Sequence, residues 1–165
     1  MENSGSPPSC PPLPRALYNS GYLIFPLAKH IFRLQTYNLL SPSSTLAFVG
    51  PLTKAAPFPL VEAQCRAIVK VFENPASLDP TQEAVDIVTR YETFRSNIGD
   101  DLLSISKNWH KFKEHEQFDY RDHLYEFVEG DAGAKVIVQD WEKEMYGKKE
   151  VLREVWRGLG KRVSG

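Results

Sequence analysis

The stretch "TLAFVGPLTKAAPFPLVEAQCRAIVKVF", Thr45–Phe72, decides how the rest of the chain is read. After Thr45 comes a short apolar run to Val49, which suits a buried strand, and Gly50 closes it. Pro51, Pro57 and Pro59 stiffen the passage beyond Gly50, because each fixes φ and removes an amide donor. From Leu60 the period changes. Leu60, Ala63, Ala67, Ile68, Val71 and Phe72 recur at helical spacing, with Glu62, Arg66, Lys70 and Glu73 opposite. Val61, Cys65 and Val69 widen the apolar face, so the spacing predicts a helix from Leu60 that is buried on more than one side. A strand that ends in glycine and leads into a helix can bring backbone close to a ligand. It can equally be ordinary punctuation between two elements.

Upstream, "GYLIFPLAKHIFRLQTYNLL" (Gly21–Leu40) is apolar and aromatic but broken by Pro26. It reads as two short extended segments, Tyr22–Phe25 and His30–Leu34, followed by a turn at "SPSS". Downstream, Asp79 is an expected N-cap, with Pro80 at the first helical position and Gln82 at capping-box spacing. Ala84, Ile87, Val88, Tyr91 and Phe94 line one face of that helix, and Gly99 ends it. Asp100–Gln117 has no clear period, with Trp109 and Phe112 isolated among polar residues. Helices are expected again at Asp119–Glu129 and Gln139–Leu159, the second weakened at Gly147 by about 1 kcal/mol relative to alanine.

All twelve prolines lie at or before Pro80, and "SPPSCPPLP" near the start suits a disordered tail. The 165 residues carry a net charge of −1 without a basic stripe, so neither nucleic acid nor a membrane is expected as partner. Cys10 and Cys65 are too few for a disulfide framework, and Cys65 falls in an apolar helical stretch where thiols are inert. No apolar run reaches the roughly 18 residues of a membrane span, and the N-terminus lacks signal-peptide order. The expected compartment is cytoplasmic. His110, Glu114, His115, Glu116 and His123 do not have metal-site spacing and read as a solvated surface. Trp109, Trp141 and Trp156 read as packing anchors.

Taken in order, "NSGYLIFPL", "LAKHIF", "TLAFVGPL", "PFPLVEAQCRAIVKVF" and "WHKFKEHEQFDYRDHLYEF" resemble the C-terminal part of a flavin-containing monooxygenase of the fungal type. The likeness spans Asn19–Phe127. It implies an α/β fold: an incomplete C-terminal portion of a two-dinucleotide-binding-domain flavoprotein, with a few short strands followed mostly by helices. It also implies a division into a tail (1–18), a monooxygenase-like part (19–130) and a C-terminal helical extension (131–165). The family uses FAD and NADPH to oxygenate soft nitrogen or sulfur centres in small molecules. The resemblance places Gly21, Tyr22, Gly50, Pro51, Leu52, Leu60 and Val61 beside the flavin, with Gly50 allowing close approach. Donors for a neutral flavin carbonyl are expected from the amides near Leu60, Val61 and Glu62, since a first-turn Glu62 would repel a phosphate.

The sequence departs from the family where it matters for activity. None of its ten glycines forms the G-x-G-x-x-G loop through which the backbone approaches a pyrophosphate. The chain is therefore expected to be inactive alone. The alternative is a non-enzymatic remnant or helical interaction module, with self-association through an unpaired strand edge.

Overall fold

A computed structural model of the chain describes residues 24–33, 46–113, 115–130 and 138–163. Six helices dominate: α1 (Pro57–Glu73), α2 (Pro80–Ile98), α3 (Leu102–Trp109), α4 (Glu116–Glu129), α5 (Asp140–Gly147) and α6 (Lys149–Val163). Of the described residues 70% are helix and 4% strand, and they contain no sheet. The α/β expectation is thus corrected to a mainly helical fold.

The reason lies in the pairing of the extended pieces. They meet only through isolated bridges, Ala28 with Phe32 and Phe32 with Ala47, both antiparallel, and Thr53 with Lys111, parallel. Around the second bridge, Arg33 N–H donates to Leu46 O at 3.4 Å and Phe48 N–H to Ile31 O at 2.8 Å. In this geometry the N–H and C=O of Ala47 point away from the partner segment. Among the described residues no hydrogen bond reaches them. Described residues pair this segment on one side only, and Leu46 and Val49 are 46% and 47% exposed, unlike residues of a buried central strand. The expected strand at His30–Leu34 instead begins inside a tight turn, where Lys29 and His30 have φ of 47° and 55°. Such left-handed backbone is uncommon outside glycine and interrupts a strand. Tyr22, Leu34 and Thr45 lie outside the described residues, as do Gly21 and the tail 1–18.

α1 begins at Pro57, three residues earlier than its period suggested, because proline suits a helix's first turn. Its buried face is narrower than expected: Leu60, Ala63, Gln64, Ala67 and Val71. Cys65 is exposed, and Val69 and Phe72 are each 53% exposed. The inward side packs against α4. There Lys70 Nζ reaches the carbonyls of Phe127 and Val128 at 2.7 and 3.0 Å, satisfying acceptors that the end of α4 leaves open.

α2 starts as its sequence requires. The Asp79 carboxylate accepts from the amides of Thr81 and Gln82, and Gly99, at φ 86°, terminates the helix. The segment without a clear period folds into α3, capped by Asp101 Oδ2 accepting from Ser104 N–H at 3.0 Å. Burial decides this case: Ile105 and Trp109 are 0% and 1% exposed, and Phe25 meets the Trp109 ring edge-on at 4.7 Å. The expected helix Gln139–Leu159 is two helices, divided at Lys148 directly after Gly147. α5 is held to α4 by Arg121 and Glu142 at 2.8 Å, whereas every residue from 151 to 158 in α6 is exposed. No described helix is long and apolar enough to cross a membrane.

Candidate functional site

Gly50 adopts φ 75°, a conformation that a side chain disfavours, and among the described residues no atom beyond its chain neighbours lies within 4 Å of where its Cβ would stand. The turn is nevertheless fixed. Gly50 N–H donates to Gln64 Oε1 at 2.9 Å, and Gln64 is fully buried on the inward face of α1. Among the described residues, open space thus lies beside a tethered backbone at this glycine.

The helix start behaves differently from expectation. With α1 beginning at Pro57, the amides of Leu60, Val61 and Glu62 fall within the i to i−4 ladder. Pro57 and Pro59 carry no N–H, and Ala56 N–H is taken by Gln117 Oε1 at 2.7 Å. Phe58, whose side chain is 87% exposed, has the one first-turn amide that remains outside the ladder. Glu62 lies beyond the first turn and pairs with Arg66 at 2.7 Å. Leu52 and Leu60 pack with Phe112 in a small buried cluster, so their side chains hold the junction in shape. Pro51 and Val61 are half-buried beside them, and Gly21 and Tyr22 lie outside the described residues.

From this junction a polar chain runs inward. Gln64 Nε2 donates to Tyr120 Oη at 3.2 Å, and the Tyr120 hydroxyl donates to Lys29 O at 2.7 Å. Beyond Tyr120 a cleft of about 200 Å³ opens between the 27–30 turn, α2, α3 and α4, floored by Leu27, Ile87, Trp109 and Leu124. That volume suits a fragment-sized ligand rather than a dinucleotide. Lys29 and Glu83 form an ion pair at 2.7 Å on one wall, while Arg90 joins Glu116 at 3.1 Å and Trp109 O at 2.9 Å. Burial raises the Glu83 carboxyl, although Lys29 pulls the other way.

His30 and His110 form the inner corner of this region. Their Nδ1 atoms are 3.1 Å apart, and His110 Nε2 is 2.7 Å from Ile24 O. A carbonyl only accepts, so His110 carries its proton on Nε2 and its bare Nδ1 receives the proton of His30 Nδ1. Burial favours the neutral form of both rings, the state in which this arrangement of protons holds. Burial lowers His30 well below the usual histidine range, and Arg90 and His110 add to the effect. Burial also lowers His110; the Ile24 carbonyl opposes this, while the charge of Arg90 reinforces it. The rings of Phe112 and Tyr120 stand edge-on to His30 at 5.5 and 5.6 Å, joining the corner to the junction's own cluster.

Sequence spacing could not expose this pair, since the two histidines are 80 positions apart. His110 had the look of a solvated residue; packing of α3 against the 24–33 segment makes it a partner instead. No group of three metal-ligating side chains occurs among the described residues.

Four of the described helix starts disfavour a pyrophosphate, while α4 begins at His115 without a side-chain cap but with Glu116 and Asp119 in its first turn. A pyrophosphate needs open amides, but α2 and α3 begin on aspartates, α5 on a capping box containing Glu142, and α1 on prolines. The chain matches no protein-family model, no curated protein and no solved structure.

Proposed function

We propose that this chain contributes a flavin-side surface to an FAD- and NADPH-dependent monooxygenation of a soft nitrogen or sulfur centre, and that it does not carry the reaction alone. The observation that carries the reading is Gly50: an open, left-handed glycine tethered through Gln64 to α1, within the motif that resembles the flavoprotein family. Flat aromatic rings approach backbone most closely where no Cβ intervenes. The cofactor would supply the oxidising chemistry, and this chain would exclude water and position the ring. The occupied starts of α1, α2, α3 and α5 support a pyrophosphate grip supplied elsewhere.

The test separates ring contact from pyrophosphate grip. The purified chain is titrated with riboflavin and with FAD, following quenching of flavin fluorescence. The expected outcome is weak quenching of both with equal affinity, reduced by Gly50→Val. FAD binding far more tightly than riboflavin would show that the chain holds the dinucleotide itself and would sink the non-autonomous reading. Absence of quenching, or quenching indifferent to Gly50→Val, would remove Gly50 from any flavin surface.

A helical interaction module is the second reading, favoured by the apolar groups left at the surface. Phe58 is 87% and Trp156 77% exposed, well beyond scattered surface leucines.

A further inference from the structure

α6 is the one described helix with an apolar stripe and no apolar surface laid over it. Val151, Leu152, Val155 and Trp156 recur at the i, i+1, i+4, i+5 spacing of a single helix side, and their exposures are 62, 42, 57 and 77%. The sequence continues the same spacing at Leu159 and Val163. A helix of this length is marginal in water without a covering surface, because nucleation is unfavourable and burial usually supplies the difference. The stripe therefore calls for an occupant.

Charge selects it. Lys149, Arg153, Arg157, Lys161 and Arg162 face only Glu150 and Glu154 in composition, five cations against two carboxylates, for a net +3 over α6. The whole chain is −1, so the remainder carries −4 and the positive charge is concentrated on this helix. Whole-chain charge, on which the expectation of no membrane partner rested, conceals this. On a helical wheel Lys149 and Arg153 fall beside Trp156 at one border of the stripe, which disfavours an antiparallel second copy, since equal borders then face each other and set cation against cation. A basic helix with a bare apolar side and an indole at its border matches the interface of an anionic bilayer, where cations meet headgroups and the apolar side enters the acyl boundary.

We propose that α6 binds anionic membrane surfaces peripherally, lying in the plane of the headgroups. Such binding uses Val151, Leu152, Val155 and Trp156 as the inserted side and Arg153 and Arg157 as headgroup contacts. It is independent of the flavin reading.

The test is flotation of the full chain with vesicles of phosphatidylcholine alone and of equimolar phosphatidylcholine and phosphatidylserine. Capture is expected on the anionic vesicles, falling with added salt, and accompanied by a gain of helical circular dichroism. Arg153→Gln and Arg157→Gln should each weaken it roughly fivefold, and Leu152→Ser roughly tenfold. All three positions are exposed, so the variants should melt like the parent chain. A variant that lowers the melting temperature substantially would mean that α6 is already covered, and the proposal fails. It also fails if neither vesicle captures the chain, if both capture it equally, or if sedimentation shows a dimer that Leu152→Ser dissolves.

Discussion

Acidification should destabilise this fold through the His30–His110 corner, and burial sets the sign. Burial favours the neutral imidazole in both and holds both below the 6.5 of an ordinary histidine. Below that pH the unfolded chain binds protons that the folded chain refuses, so stability falls as pH falls. The contribution is fully present above 6.5 and disappears progressively as pH descends from 6.5 through the folded values. His30 is 8% exposed and is expected to give nearly the full proton slope, about 1.4 kcal/mol per pH unit. His110, more open to solvent, adds a smaller share. Glu83 acts in the opposite sense, since burial raises it and the folded state takes up its proton early as pH falls above 4.5. A difference measurement removes that contribution. Urea unfolding is followed at several pH values between about 7.5 and 5 for the parent chain and for His30→Gln. The stability gap between the two should shrink by roughly 1.4 kcal/mol per unit below pH 6.5. Parallel curves over that range would refute the neutral, buried assignment of the pair.

Three further outcomes test the packing and the junction. Gln64→Leu strips the Gly50 amide of its acceptor and the Tyr120 hydroxyl of one of its two partners, and should cost about 2–4 kcal/mol in denaturant unfolding; a loss under about 0.5 would show that neither bond matters. Gly50→Val meets no neighbour but must hold φ 75°, so a loss of roughly 1–2 kcal/mol is expected, with Gly50→Asn milder because asparagine tolerates that region. Trp109→Ala empties the floor of the cleft under Phe25 and the Arg90 guanidinium, and should lower stability by about 3–5 kcal/mol. A thermal or urea midpoint close to the parent's would show that the cleft collapses without it.

Local chemistry alone determined a good deal of this protein. Asp79 with Pro80 and the closing Gly99 fixed both ends of α2, because capping and chain reversal depend on neighbours in sequence. Gly50 was legible as the close of the apolar run, but its left-handed backbone, unusual for a residue before proline, was not. Where burial decides, the sequence misled. The period of α1 admitted Cys65 and Val69 to a wide buried face, but burial is confined to the side of Leu60, Ala63, Gln64, Ala67 and Val71. The run at Thr45–Val49 has the composition of a buried strand, yet a strand is buried only when partners flank it, and composition carries no information about partners. The histidine corner is the extreme case. His30 and His110 acquire paired imidazoles that favour the neutral form only because α3 folds back onto the 24–33 turn, and a contact across 80 residues is a property of packing that no local spacing encodes.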